Sequence, residues 1–239
     1  MTRKNYRIRG SKDNIIISLA GAHGVGKTTI FHLLKKQVKD NPKFKFFPER
    51  YKKNPPFPFG SKDKQIAFRS EFHFLQQLAK RNKNIKNFEE NYNGRIIILD
   101  RTPLCVLIYS KSLFLKEKDF NLIKDMYDSV SWRDDYVLYL TAEPETILKR
   151  TIQRGSLEKI RKEWNETEMD YLKNILSFYQ KMLVSKKQKK KIFVLDTEKL
   201  EPQVVLDKLK KIITEISGYS FKKCLEPPSW QMNISRFLK

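Results

Sequence analysis

Cysteine is nearly absent from this chain. Cys105 and Cys224 are the only two, and they stand far apart. A disulfide framework is therefore excluded as the source of stability, and a reducing compartment, the cytoplasm, is the default. Long apolar runs are also missing. The apolar runs, such as Ile15-Ile16-Ile17, fall far short of the roughly 18 residues that a membrane helix requires, so no membrane partner is expected. Neither H-E-x-x-H nor C-x-x-C occurs, which leaves zinc chemistry without a ligand set. There is no internal repeat and no Ser/Gly linker, so the 239 residues are read as one domain. Acidic residues are scarce too. Asp plus Glu number 27 against 49 Lys plus Arg, a net charge of +22.

What is present in quantity is apolar residues, at 40%, and aromatics, at 12%. That is enough to bury one sizeable core and excludes disorder throughout. The charge excess permits a polyanionic partner such as nucleic acid. Its make-up argues for a different reading, because 36 of the basic residues are Lys and 13 are Arg. Close reading of phosphates and base edges favours the planar, bidentate fork of Arg. A Lys-rich excess spread over tails, loops and helix faces suits a solvated surface, with nucleic acid kept as an alternative.

Along the chain, short β-branched or aromatic runs alternate with helical patterns. Strands are predicted at Ile15–Ala20, Lys45–Phe47, Arg95–Leu99, Tyr136–Leu140 and Ile192–Leu195. Helices are predicted near Thr28–Lys39, Lys64–Lys86, Lys116–Val130, Pro144–Arg154, Glu166–Leu183 and Pro202–Ile216. Nearly all-apolar strands alternating with helices imply an α/β fold. The expectation is a five-stranded parallel sheet flanked by helices in three layers. Residues 1–13 read as a basic tail, 14–217 as the domain and 218–239 as a second tail. Lys52–Gly60, KKNPPFPFG, is too proline-rich for a helix and reads as a connection or an aromatic-bearing wall over a pocket. KKQKKK at Lys186–Lys191 reads as a solvated loop.

Four motifs carry chemistry. Gly21-Ala22-His23-Gly24-Val25-Gly26-Lys27-Thr28 matches G-x-x-x-x-G-K-[ST] in full, between a predicted strand and a predicted helix. In that context the glycines let backbone N–H groups cradle phosphates, Lys27 reaches the β/γ-phosphates of ATP and Thr28 is placed to ligate Mg²⁺. Thr29 completes the expected nucleotide-binding set, and His23 reads as a variable position within the loop. Next, Arg95–Asp100 (RIIILD) ends a buried strand in a carboxylate at the crevice edge, where it would face Mg²⁺. Arg101 follows, suited to an anion. Third, Glu49 in Pro48-Glu49-Arg50 would face the acceptor side as a proton acceptor or metal ligand, or else pair with Arg50. Fourth, Arg150 and Arg154 share a helix face ahead of a Gly155 hinge, with Arg161 and Lys162 beyond. Mobile arginines there could stabilise a transferring phosphoryl group. The D-x-x-G and N-K-x-D of a guanine-nucleotide switch are missing.

The ordered set GAHGVGKT, FPER, ILDRTP and LYLTAEPETILKRTIQRG resembles the deoxynucleoside kinase and thymidylate kinase superfamily over residues 14–216. DYLKNILSFYQKML at Asp170–Leu183 looks like the helix that follows the lid in deoxynucleoside kinases. The resemblance implies a P-loop NTPase fold with a mobile, Arg-bearing lid. It implies ATP- and Mg²⁺-dependent transfer of the γ-phosphoryl group to the 5′ position of a (deoxy)nucleoside. A nucleoside monophosphate, a polynucleotide 5′-hydroxyl and a non-enzymatic ATP-binding module are the alternatives, and a second copy of the chain is a candidate partner. By the same resemblance Glu49 would be the base, Asp100 would serve Mg²⁺, Arg101 the acceptor end, and Arg150 and Arg154 the lid. In such kinases a Gln following a Phe reads the base. Here Glu71, after Phe68, or Gln77 stands in that region, and Arg81 resembles an arginine that thymidylate kinases carry at the end of the same helix.

Overall fold

In the computed structural model the described residues are 13–49, 57–58, 60–153, 165–184 and 191–221. Five strands, β1 (Ile15–Ala20), β2 (Phe44–Phe47), β3 (Ile96–Asp100), β4 (Tyr136–Thr141) and β5 (Lys191–Asp196), form one sheet. Its order is β2-β3-β1-β4-β5, parallel at every pairing. The strands that open β1 and β3 are runs of isoleucine, which pack well on a pleated surface covered on both faces. Ile16, Leu19, Ile97, Ile98 and Leu138 are fully buried.

The helices are α1 (Lys27–Gln37), α2 (Lys64–Asn91), α3 (Cys105–Ser112), α4 (Glu117–Asp128), α5 (Pro144–Gln153), α6 (Met169–Tyr179) and α7 (Pro202–Ser217). A π-helical turn, Gln180–Val184, continues α6. Asp63 caps α2 through its carboxylate, which accepts from Gln65 N–H at 2.8 Å and Ile66 N–H at 3.0 Å. α7 has Pro202 in its first turn and ends at Gly218, whose φ of 68° suits glycine.

Three differences from expectation have physical causes. α2 runs five residues past Lys86. Phe88 packs edge-on against Phe47 at 6.1 Å, and Glu89 takes both guanidinium arms of Arg133 at 2.6 and 2.7 Å. α3 is absent from the sequence reading, because CVLIYSKS is almost continuously apolar and shows no helical stripe. Its residues Cys105, Val106, Leu107 and Ile108 are buried, so periodicity is lost through burial on all sides. Finally, the expected C-terminal tail begins as packed structure. Tyr219 and Phe221 lie against Phe44 of β2 at 5.0 and 5.8 Å. Residues 1–12, most of the Lys52–Gly60 stretch, 154–164, 185–190 and 222–239 lie outside the described residues.

Candidate active site

β1 sits at the centre of the sheet, with β3 on one side and β4 on the other. Ligands of open parallel sheets bind beyond the carboxyl ends of strands at such a reversal. The loop that follows, Gly21–Gly26, is pressed close to its surroundings. A side chain at Gly21 (φ 139°) would collide with Leu140 O and come within 2.9 Å of Val25 Cγ1. One at Gly24 (φ 76°) would collide with Thr151 Oγ1 and approach Ile147 Cγ2 to 2.9 Å. These glycines are set by left-handed backbone and by contact with β4 and α5.

Lys27, the first residue of α1, is buried. Its Nζ donates to Gly21 O at 2.9 Å and Ala22 O at 2.7 Å, across its own loop. Burial, reinforced by Arg101, lowers its pKa to about 7, against the pull of Asp100 and Glu49. The side chain therefore curls over the phosphate loop. Thr28 and Thr29 are exposed at the helix start. Thr28 Oγ1 donates to Asp100 Oδ2 at 3.1 Å, while Asp100 Oδ1 is buried and has no hydrogen-bond partner among the described residues. Among the described residues no group of three or more His, Cys, Asp or Glu gathers to hold a metal. A cation here would draw on Thr28, Asp100 and phosphate or water oxygens, a donor set suited to Mg²⁺.

Sheet register brings the acceptor-side residues to the same place. Leu19 pairs with Asp100, and Phe47 pairs with Leu99. Continuing that register two residues beyond Phe47 sets Glu49 beside Arg101, and Glu49 Oε1 lies 2.7 Å from Arg101 Nε. Glu49 is thus paired with this guanidinium, and Arg50, the alternative partner, lies outside the described residues. Burial raises the Glu49 pKa, and Arg101 opposes the rise. The Arg101 guanidinium also lies over the rings of Tyr109 (5.4 Å) and Phe74 (5.8 Å). Its backbone has φ 72°, left-handed for a non-glycine residue.

Helix α2 presents Glu71, Phe74, Leu78 and Arg81 along one buried face. Glu71 is buried near Arg101 and Glu49. Burial raises its pKa to about 8, Arg101 restraining and Glu49 adding to the rise. Gln77 is only partly buried and lies about 120° around the helix from Glu71, so of the two candidates Glu71 is the one that meets this cluster. Arg81 departs from expectation. Its guanidinium donates to Asp100 O at 2.5 Å and Arg101 O at 2.8 Å, so it grips backbone. Arg150 departs as well. It donates to Thr197 Oγ1 (3.1 Å), Thr197 O (2.7 Å) and Glu198 O (3.2 Å), in the loop between β5 and α7. The reason is its place on α5. The neighbouring Ile147 and Thr151 cover the phosphate loop, and Arg150, one step around the helix, falls over that connection. Arg154, Gly155, Arg161 and Lys162 lie outside the described residues.

The sequence reading missed Tyr109 and underrated His23. The Tyr109 hydroxyl accepts from His23 N–H at 3.0 Å. His23 Nε2 lies 3.0 Å from Glu166 O, and its ring stacks on Tyr171 at 6.1 Å. Asn165, beside Glu166, donates from Nδ2 to Gly60 O. Chain from before α2 and before α6 is thereby fastened to the phosphate loop. The signal for Tyr109 was a tyrosine inside an apolar run directly after Arg101-Thr-Pro.

A family model described as deoxynucleoside kinase matches residues 17–219, most of the chain. The chain belongs to the deoxynucleoside kinase family. The kinase is 25% identical over 167 residues to a deoxyadenosine/deoxycytidine kinase of Bacillus subtilis (strain 168), covering 66% of this chain and 75% of that one. Its fold is similar to that of a deoxyadenosine kinase from M. mycoides solved with the products dCMP and a flexible dCDP. The TM-score is 0.69 at 24% identity, over 84% of this chain and all of the other. It is also similar to a thymidylate kinase from Candida albicans, with a TM-score of 0.64 at 18% identity, over 85% of this chain and 92% of that one. The kinase is thus a phosphotransferase that carries a phosphoryl group from ATP to the 5′ position of a nucleoside. Among the described residues no helix is long and apolar enough to cross a membrane.

Proposed function

We propose that the acceptor is a deoxynucleoside whose base carries an exocyclic amine, deoxyadenosine or deoxycytidine, and that Mg²⁺ accompanies ATP. The observation that carries this reading is the Glu49–Arg101 pair at 2.7 Å, beside the Thr28–Asp100 contact. Glu49 accepts the proton of the 5′-hydroxyl as its oxygen bonds to the γ-phosphorus and the bond to the β-phosphate oxygen breaks, releasing ADP. The upward shift of Glu49 brings it nearer the working pH, as a general base requires. Backbone N–H groups of Gly21–Thr28 and the Lys27 ammonium hold the phosphates, and Arg101 orients Glu49 and meets the charge that develops at the acceptor end. Thr28 and Asp100 would hold Mg²⁺, which supplies neutralisation of charge on the β- and γ-oxygens.

Charge at the acceptor end favours a neutral hydroxyl over a monophosphate. Glu49 and Glu71 both stand there, and Arg101 is already paired. A phosphate on the acceptor would meet carboxyl groups without a free cation among these residues. Glu71 as a neutral acid offers one donor and one acceptor, the complement of an exocyclic amine beside a ring nitrogen. The names of the similar proteins, deoxyadenosine/deoxycytidine kinase and deoxyadenosine kinase, agree with that choice. Arg150, bonded to the β5–α7 connection, and Arg154 are assigned to the nucleotide side.

The test is ADP release with MgATP and a panel of deoxynucleosides, their monophosphates and 5′-hydroxyl oligonucleotides at two salt concentrations. Deoxyadenosine and deoxycytidine should give the highest kcat/KM, with little salt dependence. Preference for a monophosphate, or for an oligonucleotide with a steep salt slope, would refute the assignment.

A further inference from the structure

In a β-strand successive carbonyls point to opposite sides, so one side chain does not ordinarily reach two in a row. At the end of β3 this alternation is broken. Arg101 has φ 72°, and the carbonyls of Asp100 and Arg101 are both taken by the single guanidinium of Arg81, at 2.5 and 2.8 Å. Arg81 is 1% exposed, among the largest fully buried side chains of the protein. The same turn sends the Arg101 side chain to Glu49 and leaves the Asp100 carboxylate against Thr28. An L-residue does not rest at such a φ without compensation, and the fork of Arg81 supplies it.

We infer that Arg81 is a positioning residue. By holding the two carbonyls together it fixes the turn from which Asp100 and Arg101 reach the phosphoryl-transfer centre. The inference goes beyond the acceptor reading above but rests on the roles given there to Asp100 and Arg101. It also gives Arg81 a role other than base recognition, since both terminal nitrogens of its guanidinium donate to backbone. A planar fork can bridge two carbonyls in fixed geometry, whereas the ammonium of a lysine is a single point of charge on a flexible stem. Arg81→Lys keeps the charge and loses the geometry.

The experiment compares wild-type, Arg81→Lys and Arg81→Ala chains by kcat and KM on deoxyadenosine, deoxycytidine, deoxyguanosine and thymidine, with ATP binding as the measure of folding. A positioning role predicts a kcat loss on the order of 100-fold in Arg81→Lys, because misplacement by about 1 Å has that effect. KM should move less than about threefold and the loss should be the same for every base, as when an interaction made only in the transition state is removed. Added guanidinium ion should restore part of the Arg81→Ala rate. A loss that differs strongly between bases and appears mainly in KM would overturn the inference and make Arg81 a base reader. Full activity in Arg81→Lys would overturn it too. Should neither variant fold, the wild-type chain labelled with ¹⁵N-arginine still decides. Slowly exchanging guanidinium protons at Arg81 that stay unmoved on adding deoxynucleoside support the clamp, and a shift on binding contradicts it. That readout needs no turnover, so failure of the acceptor reading would be seen separately, as absent ADP release on the whole panel.

Discussion

At the scale of single residues, protonation is where burial acts most directly. Glu71 is raised by burial from 4.5 to about 8, so the folded chain holds this proton more tightly than the unfolded chain. Stability from it is full below pH 4.5 and drains away as the pH climbs toward about 8. In Glu71→Gln that slope should vanish. Denaturation midpoints of variant and wild type, followed from pH 5 to 8.5, should diverge by on the order of a few kcal/mol as the wild type weakens. Parallel curves would mean that Glu71 is ionised in the folded protein. Lys27 makes the second case. Its lowered pKa, about 7, leaves the amine partly neutral on its two carbonyls, and polyphosphate should recharge it. Calorimetry of ATP binding at pH 8 in buffers of differing ionisation enthalpy should therefore register proton uptake. Lys27→Ala should lose the uptake together with turnover, by about 10³-fold or more, with the fold intact.

At the scale of elements, legibility followed how each segment is surrounded. The five strands were readable within a residue or so, because β1, β3 and β4 are short, continuously apolar and bounded by turns. The Gly21–Gly26 loop was readable from its glycine spacing between a strand and a helix, although its contacts with β4 and α5 were not. α3 was not, because burial on all sides removes the periodicity that marks a helix. Arg81 and Arg150 were located but their contacts were not. Both engage backbone brought near by the sheet order, and a one-dimensional sequence carries no such neighbour. Gly24 turns this into a prediction. Its α carbon is backed by Thr151 and Ile147 of α5, so Gly24→Ala must either strain the left-handed loop or push α5 away. Affinity for ATP should fall at least tenfold with a destabilisation of about 1–3 kcal/mol, measurable by nucleotide titration and urea unfolding. The double variant Gly24→Ala/Thr151→Ser, which keeps the clashing hydroxyl, should bring no recovery, whereas Gly24→Ala/Thr151→Ala should bring some.

For the whole molecule, the site is nearly self-neutral inside a chain of net charge +22. Glu49 meets Arg101, and Glu71 sits neutral beside them. Added salt should therefore slow the association of ATP, which carries negative charge, while leaving that of a deoxynucleoside unchanged. Stopped-flow association rates from 20 to 300 mM salt provide the check, and a common salt slope for both ligands would show that the surface field reaches the acceptor end. The fold also concentrates its coupling. His23, Tyr109 and Glu166 join the Gly21–Gly26 loop to α3 and to the chain entering α6.

The rings of Tyr219 and Phe221 against Phe44 have a consequence for the edge of the sheet. β2, of only four residues, is an edge strand among the described residues, and the backbone groups along such an edge can template the addition of another chain. The two aromatic rings cover one face of that edge, Asn41 Nδ2 donates to the Tyr219 hydroxyl at 2.7 Å, and Lys45 adds a charge on the strand itself. Replacing both rings, Tyr219→Ser/Phe221→Ser, should leave ADP release per folded molecule unchanged. Light scattering at 37 °C should then record aggregation that the intact chain resists.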